Sequence, residues 1–292
     1  MSIDRLQDKI RKFKNPAVID LTIRPEEIPQ YLMEEEGNLC GAYSRFCAEL
    51  LGGLKEIVPA VRFGFGAFAL QGTAGLDALE NALKAAKSSG YYVILDAPEA
   101  ISLQAAEYNA SILLDPRCQW QYDALIVTAY IGSDALRPYA EHLAGSDKAI
   151  FAVLRTANRT APELQDLLTG SRLVHIAAAD VFNRLAEPRI GKCGYSAVGA
   201  MAGASSVHSL RTLRQKYNRL FLLLDGYDYA NSNAKNCSEA FDRLGHGAVA
   251  CAGASVTAAY LADEAEGREF VACAQKAAER MRKNLTRYVT VL

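Results

Sequence analysis

The side chains with chemical reach in this chain are carboxylates and guanidinium groups placed at or just beyond short apolar runs. Arg62 sits inside Val58-Phe63, Asp96 follows Tyr91-Leu95, Arg155 follows Ala149-Leu154, and Asp225 and Asp228 follow Leu220-Leu224. Arg24 and Glu99 lie a few residues beyond two of these runs, with Thr22, Thr128, Thr156, Asn158 and Tyr227 as polar neighbours. A carboxylate serves as a general acid or base, or orients a ligand. Arginine holds anions through paired N–H bonds but is a poor acid, because it stays protonated to very high pH. Arg24, Arg62 and Arg155 are therefore expected either to converge as an anion-binding cluster or to be neutralised by Asp96, Asp225 and Asp228. Asp96 reads equally as a ligand contact or as a carboxylate tied to backbone or to Arg62. Glu99 reads as a replacement acid or as a solvated loop residue. The stretch Tyr227, Asp228, Tyr229, Asn231, Asn233 and Asn236 suits a contact surface or small-ligand groove, or an ordinary polar loop.

Other chemistries find little support. Among 292 residues, 32 Lys plus Arg balance 33 Asp plus Glu, leaving a formal charge of -1. No basic run interleaves with the 14 tyrosines, so nucleic-acid binding is not expected. The seven cysteines contain no C-x-x-C pair and the four histidines are scattered, so neither a metal nor a cofactor is expected. Free thiols in a reducing compartment, and hence a cytoplasmic protein, fit this usage. The charged N-terminal residues Asp4, Arg5, Asp8, Lys9, Arg11, Lys12 and Lys14 argue against a signal peptide, and no apolar run reaches the ~20 residues of a membrane span. Gly64, Gly66, Gly72 and Gly75 lack the G-K-[ST] of a phosphate loop, and no G-x-G-x-x-G follows the first apolar run,.

Eight elements must position these groups. The apolar runs Ala17-Leu21, Val58-Phe63, Tyr91-Leu95, Ala124-Val127, Ala149-Leu154, Tyr195-Gly199, Leu220-Leu224 and Ala248-Cys251 read as buried parallel strands,. Helical periods lie between them at Ala74-Lys87 (Leu76, Leu79 and Leu83 on one face, Thr73 as cap), Ser102-Leu113 (Leu103, Ala106 and Ala110 buried), Val174-Leu185, Ser206-Arg214 and Ser238-Leu244,. A closing helix is expected over Ala262-Met281,. Eight strand–helix alternations without a linker predict an α/β fold, a (β/α)8 TIM barrel over residues 1–292 with an N-terminal lead-in and a long C-terminal helix; an open doubly wound sheet is the rival. In a barrel the reacting groups gather at the C-terminal strand ends.

Several runs carry a resemblance. Asn15-Pro16, Pro59-Ala60-Val61, Leu95-Asp96-Ala97, Asp123-Ala124-Leu125, Leu164-Gln165-Asp166-Leu167 and Gly194-Tyr195-Ser196-Ala197-Val198-Gly199-Ala200 resemble the longer bacterial branch of orotidine 5'-phosphate decarboxylase, over nearly the whole length. The resemblance implies a barrel, a homodimer in which each site borrows a residue from its partner, a phosphorylated and hence anionic small-molecule ligand, and Ser196 within the pocket.

The resemblance fails where the chemistry should lie. It implies an aspartate at Thr22, a lysine at Arg62 and a D-x-K-x-x-D motif over Asp96-Ala97-Pro98-Glu99-Ala100-Ile101. The catalytic lysine position is thus Pro98, and the carboxylate lent to the partner is Ile101. A phosphate-side glutamine falls at Ala230 and the phosphate-holding arginine at Ala254. Decarboxylation of this type places negative charge on a ring carbon, which a fixed ammonium neutralises and protonates. Proline has no ionisable group, so only Asp96 and Arg62, with Glu99 as a new acid, remain as a remnant site. The sequence therefore favours a diverged, catalytically inactive homologue. A genuine decarboxylase with another acid supplied by Lys55, Lys84, Lys87, Lys148 or Lys192, or a different enzyme acting on a phosphorylated small molecule, stay as alternatives.

Overall fold

Eight parallel strands of four to seven residues close into a barrel: β1 (Ala17–Asp20), β2 (Ala60–Gly64), β3 (Tyr92–Asp96), β4 (Ala124–Thr128), β5 (Ala149–Arg155), β8 (Val198–Gly203), β9 (Leu222–Asp225) and β10 (Ala248–Ala252). The short β6 (Leu168–Thr169) and β7 (Arg172–Leu173) form an antiparallel hairpin after β5. This computed structural model describes residues 1–229 and 232–292; the expectations at Ala230 and Asn231 lie outside the described residues. Strand β1 pairs with both β2 and β10, which closes the ring. The fold is therefore the (β/α)8 barrel, and the open-sheet rival is excluded.

The strands are almost wholly buried because helices cover the barrel outside and side chains fill it inside,. The helix Gly72–Ser88 lies where the sequence placed one; Leu79 and Leu83 are buried, and Gly90 turns the chain at φ 87°,. Its cap is corrected: the helix begins at Gly72, so Thr73 is inside it. Leu103 is exposed rather than buried, since Ala106, Ala110 and Leu113 fill that interface.

Three elements differ more. The sixth barrel strand starts at Val198, three residues later than its apolar run, because it pairs from Val198 against Ile150 of β5. No helix spans Ser238-Leu244: a five-residue helix, Ala234–Ser238, precedes it, and Asp242 accepts the backbone N–H groups of Leu244 and His246 in a turn instead,. The last helix runs Phe270–Thr286, since Glu264 at φ 50° breaks any earlier start.

The first helix, Ser2–Phe13, closes the N-terminal end of the barrel. Its Ile3, Leu6 and Ile10 are fully buried, Ser2 Oγ donates to the Asp123 carbonyl, and Gln7 accepts from Gly247 N–H. Access to the barrel interior is left to the C-terminal mouth.

Close packing inside β8 makes one position sensitive. A Cβ on Gly199 would lie 2.7 Å from the Phe221 carbonyl oxygen and 2.8 Å from the Phe151 ring. Backbone cannot yield cheaply, so Gly199→Ala is expected to cost about 1–3 kcal/mol in urea unfolding; an unchanged midpoint would show that the strand shifts freely.

Candidate functional site

Arg62 rises from β2 into the barrel mouth and meets three carboxylates carried by three other strands. Its Nε and Nη2 donate to Asp96 at 3.0 and 2.6 Å, a paired contact, and its Nη1 donates to Asp225 at 2.8 Å. Asp20 of β1 lies 3.4 Å from the same Nη1 and also accepts Thr22 N–H at 2.9 Å. The guanidinium is only 11% exposed. Burial opposes its charge, but Asp20 and Asp96 overcome this and hold its pKa well above the ordinary value. Burial pushes the Asp96 carboxyl above the usual range; Arg62 offsets part of that, while Asp20 and Asp225 add to it. The Cys251 thiol, buried beside them, is likewise pushed far up and stays protonated.

A cavity of about 650 Å³ opens from this cluster, a size typical of small-molecule sites. Arg62 and Asp96 form its charged edge, Ile126, Val153 and Met201 its apolar floor, and Thr128, Thr156 and Gln165 its uncharged polar wall. Ala97, Pro98, Glu99, Ala100 and Ile101 run along one side. The Pro98 carbonyl accepts from Asn109, which ties this loop to the following helix. Glu99 stands on the exposed rim, and Ile101 is 87% exposed. Among the described lining residues, Arg62 is the only formal cation.

The other expected arginines are engaged elsewhere. Arg155 sits at a register shift in β5 and pairs with Asp166 at 2.9 and 3.0 Å. Arg155 holds the Asp166 carboxyl below the usual range, and His175 Nδ1 lies 3.1 Å from the same carboxylate. Arg24 is 66% exposed and bonds Glu27 at 2.7 Å. The three arginines thus form no common cluster, because each has its own acidic partner. Asn158 lines a separate cavity of about 480 Å³ with Arg155, Arg159, Ser205 and Ser206. Asp228 reaches across to the loop after β10, accepting from Gly253 N–H at 2.7 Å and from the Ser255 hydroxyl. Tyr227 borders two smaller cavities beside the last helix, and Ala254 lies between the two residues that Asp228 binds.

Ser196 is placed at the opposite, N-terminal end. It precedes β8, is fully buried and donates to the Ala186 carbonyl at 2.7 Å; the late start of the strand puts it there. The five lysines also avoid the cavity. Lys87 binds Asp123 just before β4, Lys148 directly precedes β5, Lys55 ends the helix before β2, Lys192 precedes β8, and Lys84 pairs with Glu80 along its helix.

Asp20 and Gln165 are the site residues that the sequence reading missed. Asp20 carried the same signal as Asp96, a carboxylate ending an apolar strand. Gln165 stood only inside one of the runs that carry the resemblance, with nothing local to place it in the site, since it returns to the mouth from a long excursion after β5, where it accepts from Thr156 N–H at 2.8 Å. Among the described residues, no group of three or more His, Cys, Asp or Glu is arranged to hold a metal ion, all seven cysteines are free, and no helix is long and apolar enough to cross a membrane.

No protein-family model matches the chain. It is 26% identical over 286 residues to an orotidine 5'-phosphate decarboxylase of Clostridium novyi, covering 98% of each chain. It is 29% identical over 254 residues to one of Rhodopirellula baltica, covering 84% of each. Its fold superposes on solved structures of orotidine 5'-monophosphate decarboxylase from Plasmodium berghei (TM-score 0.78, 14% identity, 98% of this chain and 97% of that one) and of OMP decarboxylase from Leishmania donovani (TM-score 0.72, 21% identity, 97% and 100%). The chain is thus similar to these decarboxylases from end to end, in sequence and in fold.

Proposed function

We propose that this orotidine 5'-phosphate decarboxylase-like chain no longer decarboxylates orotidine monophosphate and keeps the barrel for another, ligand-binding role. The observation that carries the reading is Arg62. It is the formal cation of the cavity, it is held by three carboxylates, and their charge outweighs the opposing effect of burial and keeps it protonated. A group that cannot release its proton cannot deliver one to a ring carbanion. Pro98, at the position where the resemblance expects the lysine, lines the cavity with an apolar ring. The five lysines considered as replacements lie away from the mouth. One lost electrostatic donor typically costs about 10²–10³ in rate; here the proton donor, the partner-lent carboxylate and the phosphate arginine are all replaced.

The chain is further read as a homodimer of one-domain subunits. Supporting this, Ile101 at the mouth and Tyr108 and Ile112, one turn apart on the helix that follows, expose apolar surface, a pattern that marks contact sites.

The test is an orotidine monophosphate decarboxylation assay at high concentration of protein shown by light scattering to be a monodisperse dimer, with the Pro98→Lys, Ile101→Asp double variant beside it. The wild type is expected to give no turnover above the uncatalysed rate. Clear wild-type turnover would show that an unrecognised acid replaces the lysine and would return the chain to the genuine enzymes. Turnover gained by the double variant alone would place the loss at those two positions.

A further inference from the structure

The last helix, Phe270–Thr286, packs beside β1 and against the helix Leu39–Leu54. On its outer side Lys276, Arg280, Lys283 and Arg287 follow one another at spacings of four, three and four residues, so they stand in one row,. All four are exposed, and among the described residues none has a carboxylate partner. Like charges three and four residues apart destabilise a helix. Elsewhere the chain uses the opposite arrangement, as in the Glu80 and Lys84 pair. The row lines a groove of about 710 Å³. Among its described lining residues Glu279 is the only acid, and Arg282 bonds it at 2.6 Å. Through the shared Asn284 and Arg287 the groove continues into a cavity of about 400 Å³, where Lys235, Tyr227 and Tyr288 join it. No acid stands among the described residues lining that cavity, and Tyr288 is 48% exposed.

We propose that this groove is an interaction surface for single-stranded nucleic acid, with the cationic row following the phosphates and the tyrosines receiving bases. A single strand carries a charge at each nucleotide and leaves its base faces open, and proteins meet it with a positive groove and aromatic platforms. At 1.5 Å per residue the row runs for about 16 Å, long enough to meet several phosphates in turn. A duplex fits less well, because a helix laid flat on the barrel cannot enter a major groove. An acidic peptide would find the cations but brings no ring with each charge for the tyrosines to stack on. The inference goes beyond the functional reading above and is independent of what the barrel cavity holds. It departs from the expectation drawn from composition, where a charge of -1 and the absence of basic runs among the tyrosines pointed away from nucleic acid. Folding assembles the patch instead: Tyr227 and Lys235 follow β9, whereas the row and Tyr288 lie at the end of the chain.

The experiment is fluorescence anisotropy of a labelled oligouridylate of about 15 nucleotides titrated with the full chain. Three or four phosphate contacts predict that affinity falls roughly 20- to 50-fold between about 50 and 200 mM potassium chloride. The double variant Lys283→Gln, Arg287→Gln should bind at least about tenfold more weakly at about 50 mM salt, with a shallower salt dependence. Tyr288→Ala should weaken binding about fivefold or more while leaving the salt dependence unchanged. Arg172→Gln, in the hairpin after β5 and so across the ring from β1, should bind as the wild type does. All these positions are exposed, and an unchanged thermal midpoint shows that each variant is folded. No saturable binding up to about 100 µM protein at about 50 mM salt overturns the proposal. So does wild-type affinity in the double variant, or an equal loss in Arg172→Gln. Full affinity in Tyr288→Ala, or equally tight binding of polyglutamate, would give the groove to acidic segments in general and overturn the assignment to nucleic acid.

Discussion

Replacing Arg62 by methionine is expected to lower the free energy of unfolding by about 3–5 kcal/mol, because it strips the shared, buried cation from three partly buried carboxylates while nearly conserving volume,. The side chain is only 11% exposed and joins β2 to Asp96, Asp225 and Asp20, which are 20–28% exposed, so solvent screens only part of the repulsion that remains. For a chain of this size the thermal midpoint should fall by roughly 6–12 °C. The deficit should depend on pH, and its sign follows from Asp96. Burial already raises that carboxyl above its unfolded value, and Arg62 offsets part of the rise; without the arginine it rises further. An acid with a raised folded pKa binds more protons in the folded state, so its folded form is favoured below the unfolded pKa and loses that advantage as pH climbs through the folded pKa. The methionine variant should therefore be closest to wild type near pH 4 to 5 and furthest from it near pH 7 to 8. Urea unfolding at several pH values reads this directly. A cost under about 1 kcal/mol, or one flat with pH, would mean that the carboxylates reach water once the arginine is gone.

Asp123→Ala should be comparably severe at the other end of the barrel. Its carboxylate is 3% exposed and accepts from Arg5 at 2.9 Å, from Lys87 at 2.7 and 2.8 Å, and from Val93 N–H at 2.8 Å. It thereby binds the N-terminal helix and the helix Gly72–Ser88 to the starts of β3 and β4. Alanine leaves the buried Val93 N–H without an acceptor and Lys87 without its carboxylate, while Arg5 keeps only Asp147, for about 3–5 kcal/mol,. Asparagine still accepts the Val93 N–H and should cost about 1–3 kcal/mol. Hydrogen exchange should show protection lost first in residues 2–13, which rely on this anchor. Equal costs for the two variants would indicate that the acceptor for Val93 N–H contributes nothing and that the charge carries the whole effect.

Both predictions turn on partners distant in sequence, and the same distance divides what could be read from residues alone. Eight apolar runs were legible as eight strands because each is a local, continuous block whose burial on both faces demands a closed, helix-covered sheet. Strand ends then pointed to Asp96, Arg62 and Asp225, and a carboxylate closing β1 would have added Asp20 by the same rule. Where elements start was decided by pairing: β5 sets the first residue of β8, and with it the move of Ser196 to the closed end.

Which charge neutralises which was decided only by the closed barrel. Arg62 could be read as a free anion-binding group until β9 brought Asp225, 163 residues away, within 2.8 Å. Arg155 could be read the same way until the excursion after β5 returned Asp166. Asp228 looked like one residue of a polar loop until the loop after β10 presented its N–H groups to it. Residue type and local pattern determine which groups stand at the mouth, because strand ends are set by short-range burial. The net charge that a ligand meets there depends on side chains converging from four strands and their loops, and only ring closure brings those together.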